Sequence, residues 1–476
     1  MDITIYPGNV INGQFRPTDK TRRSIDPAWG KELYPVPVAS KDDLDDAVKH
    51  ARKAFAAWSK TSFEERSEKV LAFVQAIEDN REQLAKLLTT EQGKPLEKAH
   101  VEINMAISWL RGFAKIQLKD EVIEDTQERT ISVTHMPLGV CGAIVPWNYP
   151  LLLGVVKVGP ALLTGNTIIL KPSPFTPYCN LKMAELSMSI FPPGVYQTLS
   201  GDDNLGPWMT SHADIDMISF TGSIPTGKRV AESCAKTLKR CVLELGGNDA
   251  AIICEDVDFA KCMPKLVSLA FMNTGQLCMC TKRIYVHEKI YDEFRDAFVK
   301  CTRETMKTGR GFEPGVTLGP LQNAMQFNLV KKMCADVEES GFKVALKGQV
   351  SDGSAGYLME PTVVDNPPED SAIVVEEPFG PIVPLLKWRD EDDVIARANG
   401  LRTGLGASVW SRDMGRAERM GRELKAGCVW VNSHFDLAPN VPFGGHMESG
   451  LGVEMGVEGF KSYTNIKSLW VWKQVF

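Results

Sequence analysis

The amino-acid sequence predicts an α/β fold built on a doubly wound parallel sheet. Three observations carry this expectation. From Gly139 to Ile253, short apolar runs alternate with segments of helical period, the pattern of successive βαβ units. With 39 Gly, 28 Pro and a 43% hydrophobic share in 476 residues, the chain resembles ordinary folded proteins rather than disordered or fibrous ones. At roughly 150 residues per domain, the length allows about three domains, or two large ones with an accessory element.

The elements follow in order. Ser40 with Asp43 makes a capping box, and Leu44, Val48, Ala51, Phe55 and Trp58 recur at spacings of four and three, so an amphipathic helix starts there. Its acidic first turn complements the helix dipole. Pro137 to Leu170 carries one charge, Lys157, yet Pro146, Asn148, Pro150 and Pro160 argue against a membrane span. It reads instead as a strand at Gly139–Val145, a turn at Pro146–Pro150, a buried helix at Leu151–Leu163 and extended chain at Asn166–Leu170. Further strands are expected at Val195–Ser200, Ile215–Phe220, Cys241–Leu245 and Ala250–Ile253, with a helix whose first position suits Pro225. Asp390 to Asp393 reads as the solvated start of another helix rather than a metal site. Glu121–Met136 and Lys461–Trp472 stand outside the alternation and read as strands that must pair, with each other or with another subunit.

Composition excludes several functions. Fifty-four Lys+Arg against sixty Asp+Glu give a net charge of −6, which offers no field for nucleic acid or an anionic membrane. Eleven cysteines with no C-x-x-C pair, and seven scattered histidines, suggest neither a disulfide framework nor a zinc or other metal site. Met1–Phe15 lacks a signal pattern, and Lys473–Phe476 lacks a lipidation or retention signal, so a cytoplasmic protein with free thiols is expected.

The dinucleotide fingerprint G-x-G-x-x-G is missing. Gly222-Ser-Ile-Pro-Thr-Gly227-Lys228 follows a strand but falls one residue short of a phosphate loop, because Arg229 stands where a metal-binding hydroxyl belongs. An NTPase is rejected on that ground. What remains is a glycine-flanked turn feeding a helix, whose N-terminus suits a nucleotide phosphate.

Three constellations carry chemistry: Gly275-Gln-Leu-Cys278-Met279-Cys280, Glu244-Leu245-Gly246-Gly247, and Glu377-Pro-Phe379-Gly-Pro381. Together with Pro146-Trp-Asn-Tyr-Pro150, Lys171-Pro-Ser-Pro174, Phe220-Thr-Gly-Ser223 and Pro442-Phe-Gly-Gly445, in this order, the chain resembles the aldehyde dehydrogenase superfamily over nearly its whole length. The resemblance implies oxidation of a small-molecule aldehyde to the acid with a nicotinamide cofactor. Cys278 would be the nucleophile, giving a thiohemiacetal whose oxyanion is held by the Asn148 amide and the Cys278 N–H. Hydride transfer leaves a thioester, which Glu244 would hydrolyse by taking a proton from water.

The same resemblance places Val145, Trp147, Lys171, Ser173, Phe220, Gly222, Ser223, Leu245, Glu377 and Phe379 along the dinucleotide, with Lys171 and Glu377 on its riboses. Relatives that favour NAD often carry Glu three residues past this lysine, and here Pro174 stands there. NAD is expected, with NADP left open. Tyr149, Leu153, Val156 and the run Ser433-His434-Phe435 would border the aldehyde tunnel. They offer no Arg fork for a carboxylate, which favours a neutral aldehyde over a semialdehyde acid; His434 reads better as a satisfied loop histidine.

Two alternatives stay open. A coenzyme-A-acylating relative would use the same thiol but typically lacks the carboxylate at Glu244, and a non-catalytic protein of the same fold would need no Cys278, Glu244 and Asn148 together. Met279 and Cys280 depart from the small or aliphatic residues that usually follow the nucleophile, and whether Cys280, as a resolving thiol, forms a reversible disulfide with Cys278 that switches activity off stays open in the sequence. Val453-Glu454-Met455-Gly456 lacks the family's usual basic residue. The implied architecture is a doubly wound parallel-sheet cofactor domain (1–118 and 138–246), an α/β catalytic domain (247–456) and a small β oligomerisation element (119–137 and 457–476). Homodimer or homotetramer is expected from the family.

Overall fold

The computed structural model describes residues 8–474. The expectations resting on Met1–Pro7 and on Val475–Phe476 lie outside the described residues. Two large sheets dominate the chain. The first has eight strands, in spatial order Gln14–Arg16, Asn9–Ile11, Tyr196–Thr198, Thr167–Lys171, Val140–Ile144, Met217–Thr221, Arg240–Glu244 and Gly450–Leu451. Its five central strands are mutually parallel. Chain order runs outward in both directions from Val140–Ile144, which is the doubly wound topology, and the order reverses between that strand and Met217–Thr221.

Register lines up the strand ends. Ile144 lies opposite Lys171 and Phe220, and Thr221 lies opposite Glu244. Three site candidates, Lys171, Phe220 and Glu244, therefore reach one edge of the sheet together, at the point where such sheets open a crevice.

The apolar stretch behind this edge folds as the helix Pro150–Leu163, with Pro150 at its start and every residue but Leu153 buried. Each large side chain buried this way contributes about 1.5–3 kcal/mol. Gly159 lets the helix approach Phe113, whose ring a Cβ there would strike. Among the described residues no helix is long and apolar enough to cross a membrane. Ser40 caps Lys41–Trp58 in a full capping box, and Asp390 caps Glu391–Ala398.

The second sheet has seven strands: Val344–Leu346, Thr362–Asp365, Ile382–Trp388, Thr281–His287, Asp249–Ile253, Gly406–Trp410 and Cys428–Val431. All its pairings are parallel except the outermost, Val344–Leu346 with Thr362–Asp365. The orphan segments pair with each other. Thr464–Trp472 runs antiparallel to Arg129–Pro137, which runs antiparallel to Glu121–Asp125.

Two local expectations need correction. Lys461 and Ser462 belong to the helix Gly456–Ser462, so the terminal strand starts only at Thr464. The helix Ile224–Ala235 opens on Ile224, which puts Pro225 at its second position. Both sites tolerate proline, because neither N–H has an intrahelical partner.

Candidate functional site

At the reversal point lies a cleft of about 750 Å³. Its walls include Val145, Trp147, Asn148, Lys171, Ser173, Phe220, Gly222, Ser223, Leu245, Cys278, Glu377 and Phe379. All ten residues assigned to the dinucleotide are thus brought together with the candidate nucleophile and amide. Glu244 is not part of the wall.

Cys278 sits in a strained turn. Asn273, Thr274 and Gly275 all adopt positive φ, at 52°, 60° and 73°, and left-handed backbone costs non-glycine residues about 1–2 kcal/mol each. Gly275 admits no side chain, since a Cβ would run into the Gly380 carbonyl. Gln276 holds the turn. Its amide donates to the Asn273 carbonyl at 2.9 Å and the Pro320 carbonyl at 3.2 Å, and its Oε1 accepts from the Gln322 N–H at 2.8 Å. Cys278 is half-buried, and burial pushes its thiol up, opposed by Lys282 and reinforced by Glu377, Asp249 and Glu244.

Asn148 is buried and donates through Nδ2 to the Gln276 carbonyl at 3.1 Å. An amide nitrogen has two hydrogens, so one remains for another acceptor. The Asn148 carbonyl is itself gripped by Lys94 Nζ at 2.9 Å and Asn273 Nδ2 at 3.2 Å. Lys94 pairs with buried Glu102 and lies 3.7 Å from the centre of the Tyr149 ring.

Glu244 ends its strand with both carboxylate oxygens buried and without hydrogen-bond partners. Burial, then the charge of Glu454, hold its pKa well above the ordinary carboxylate range, while Lys157 pulls the other way. Lys157 Nζ pairs with Glu454 Oε1 at 2.5 Å and donates to Ser219 Oγ at 3.0 Å, all buried.

The tunnel candidates divide. Tyr149, Leu153, Val156 and Phe435 join one apolar cluster with Cys278. Ser433 accepts from Lys265 Nζ at 2.9 Å in an exposed position. His434 is buried, with Nδ1 3.0 Å from Ser408 Oγ and Nε2 3.0 Å from the Met279 carbonyl. Both ring nitrogens are engaged by protein, the satisfied state read for it in the sequence. Cys280 is fully buried, with Sγ 3.6 Å from the Met272 carbonyl.

The residues of the cleft fit a dinucleotide. Ser223 precedes the helix Ile224–Ala235, and its hydroxyl turns to Thr226 Oγ1 at 3.0 Å and makes no side-chain cap; Gly222, Ser223 and Thr226 line the cleft, which puts this helix N-terminus, a setting suited to an anion, at the wall. Gly246 keeps the floor open, because a Cβ there would run into the Glu377 carboxylate. Lys171 is buried in the cleft wall, and burial, with Arg22 adding repulsion, lowers its pKa to about 8 against the pull of Asp203 and Asp202.

Comparison with known proteins agrees. The family model "Aldehyde dehydrogenase family" matches residues 15–469. An aldehyde dehydrogenase of a Fusarium species, LUC3, is 40% identical over 474 residues, 99% of this chain and 100% of its own. A glutarate-semialdehyde dehydrogenase of Pseudomonas putida is 35% identical over 466 residues, 96% of each chain. The solved NAD+ complex of an aldehyde dehydrogenase from Bacillus cereus superposes with a TM-score of 0.95 at 35% identity, covering 98% of this chain and 96% of that one. The chain belongs to the aldehyde dehydrogenase family and is an NAD(P)-dependent enzyme.

Proposed function

We propose that the protein oxidises an aldehyde to the carboxylic acid through a thioester on Cys278, with NAD as the electron acceptor. The observation that carries this reading is the shared cleft: Cys278, Asn148 and the ten dinucleotide candidates line one wall-to-wall space. Cys278 Sγ, as the thiolate, would add to the carbonyl carbon, turning the carbonyl oxygen into an alkoxide. The free hydrogen of Asn148 Nδ2 and the Cys278 N–H would donate to that oxygen, a contact stronger in the transition state than in the substrate. When bound, the nicotinamide would take up the hydrogen and electron pair released by the aldehyde carbon. Glu244 would then take a proton from water as its oxygen attacks the thioester carbon and the C–S bond breaks. A carboxylate of raised pKa is a stronger base than an exposed one, though more often protonated at rest. Because Glu244 supplies this base, hydrolysis is favoured over acyl transfer to coenzyme A, and a non-catalytic role leaves the strained Cys278 turn without a purpose.

NAD is favoured over NADP because Asp202 and Asp203 line the cleft with Lys171 and would repel a 2′-phosphate. The apolar surroundings of Cys278, with Tyr149, Leu153, Val156 and Phe435, favour a neutral aldehyde. A semialdehyde acid is the second reading, favoured by the Lys265 ammonium on Ser433 and by the glutarate-semialdehyde relative. The division into cofactor domain 1–118 and 138–246, catalytic domain 247–456 and strands 119–137 and 457–476 belongs to the same proposal. The third sheet exposes apolar side chains, among them Val122, Ile123 and Val471, with Ile466, Trp470 and Trp472 at alternate positions on one face, a face suited to a homodimer or homotetramer contact. Eleven unpaired thiols suit the reducing cytoplasm.

A panel of neutral aldehydes and semialdehyde acids, followed by reduced-cofactor absorbance with NAD or NADP and with or without coenzyme A, tests this. Acid formed with NAD and no coenzyme A supports it. Reduction that requires coenzyme A, or none with any aldehyde, overturns it.

A further inference from the structure

Lys282 lies four residues beyond the candidate nucleophile, on the strand Thr281–His287, with its side chain almost wholly buried. An ammonium carries three N–H donors and no acceptor, and this one has three partners. It donates to the Cys278 carbonyl at 3.0 Å, to the Gly247 carbonyl at 3.3 Å and to the Glu377 carboxylate. These belong to three separate pieces of the cleft: the nucleophile turn, the loop after Glu244, and the carboxylate assigned to the ribose. Lys282 itself does not line the cleft but stands behind it, 5.4 Å from the centre of the Phe379 ring.

Stability alone gives no reason for this charge. Replacing a buried ion pair by apolar groups of similar volume is often neutral or favourable, and the surrounding cores are amply apolar. We infer that Lys282 is a positioning residue, which ties the Cys278 turn, the Gly247 loop and Glu377 into one unit and supplies the cation that favours the Cys278 thiolate. The inference rests on the reading of Cys278 as nucleophile.

The charges around the sulfur set the sign. Lys282 is the cation beside it, while Glu377, Asp249 and Glu244 oppose ionisation; Cys280 and Tyr149 are the other titratable neighbours, both neutral because burial raises them. Asp249 is itself occupied, accepting from the Gly406 N–H at 3.0 Å and lying 3.4 Å from His434. Burial opposes the charge on Lys282, but the Glu377 carboxylate, which accepts from it, and Asp249 outweigh burial and raise its pKa. Removing Lys282 leaves three acids facing the thiol. Removing the charge of Glu377 leaves Lys282 less neutralised. The two changes must therefore move the thiol in opposite directions, an outcome that loosened packing does not produce.

The experiment reads alkylation of Cys278 by iodoacetamide, located by peptide mass spectrometry, from pH 6 to 10 with neither aldehyde nor cofactor present. Lys282→Met is expected to slow labelling at fixed pH by about tenfold or more, the effect of one pKa unit. Glu377→Gln is expected to speed it, and Lys282→Arg to stay near the parent. If Lys282→Met does not fold, Glu377→Gln and Lys282→Arg carry the test. Parental labelling rates in Lys282→Met and Glu377→Gln, or shifts of both in the same direction, overturn the inference. Failure of the nucleophile reading would show separately, as aldehyde oxidation by Cys278→Ala.

Discussion

Glu454→Gln isolates the electrostatics of the proposed base. Glu454 Oε1 accepts from Lys157 Nζ at 2.5 Å and from Ser219 Oγ at 3.0 Å, and a Gln carbonyl can keep both contacts. What changes is charge. Glu454 is the second cause, after burial, that raises the Glu244 pKa, and Lys157 is the cause that lowers it. Neutralising Glu454 removes a raising influence and leaves Lys157 uncompensated, so the pKa of Glu244 must fall. Charges within roughly 4–6 Å shift a carboxyl by about one to three units. Hydrolysis needs Glu244 ionised, so the rising limb of the kcat–pH profile should move to lower pH by about one unit or more. Leaving Lys157 charged without its full partner costs about 3–5 kcal/mol of stability, seen as a lower Tm. The assay is steady-state turnover from pH 5 to 10, run below that Tm. A rising limb that stays in place, or moves to higher pH, refutes the electrostatic account of Glu244.

Asn148→Ala removes the amide donor while sparing the dinucleotide wall, so kcat should fall about 10²–10³-fold with NAD affinity held within twofold, measured by steady-state kinetics and fluorescence titration. Lys171→Gln removes a charge-assisted hydrogen bond of about 1.5–3 kcal/mol, so NAD should bind about 10- to 150-fold more weakly. In the parent, Lys171 is charged below its pKa of about 8 and neutral above it, so NAD affinity should decline as pH rises through 8, which quenching of cleft tryptophan emission would follow. Trp470→Asp places a charge on the exposed apolar face, where Trp470 also lies 5.1 Å from the Arg129 guanidinium. It should shift the size-exclusion mass towards the monomer without lowering Tm by more than a few degrees.

The parts of the molecule legible in the sequence are those written locally. The βαβ alternation from Gly139 to Ile253 appears because buried parallel strands are continuous apolar runs, and the capping box at Ser40 because it needs only four adjacent residues. The Gly-Gln setting of Cys278 marked the turn, although the strain at Asn273 and Thr274 leaves no compositional trace. Ion pairs between distant residues were illegible. Lys157 and Glu454 are 297 positions apart, and Lys282 and Glu377 are 95 apart; only the fold makes each pair adjacent. Lys157 was the one charge in an apolar stretch, which was a usable signal, since a buried charge demands a partner. Lys94 had a weaker one, its place in the Gly93-Lys94-Pro95 turn. The helix at Gly456–Ser462 was hidden because Lys461 and Ser462 adjoin a strongly β-prone run.

The central claim is that Cys278 forms the acyl bond and Glu244 helps break it, and rapid mixing of Glu244→Gln with aldehyde and NAD tests both at once. A burst of one reduced cofactor per site, followed by turnover slowed at least 10²-fold, with the acyl mass added on the Cys278 peptide, is the predicted result. Turnover at the parent's rate, or an adduct found on any other cysteine, contradicts it.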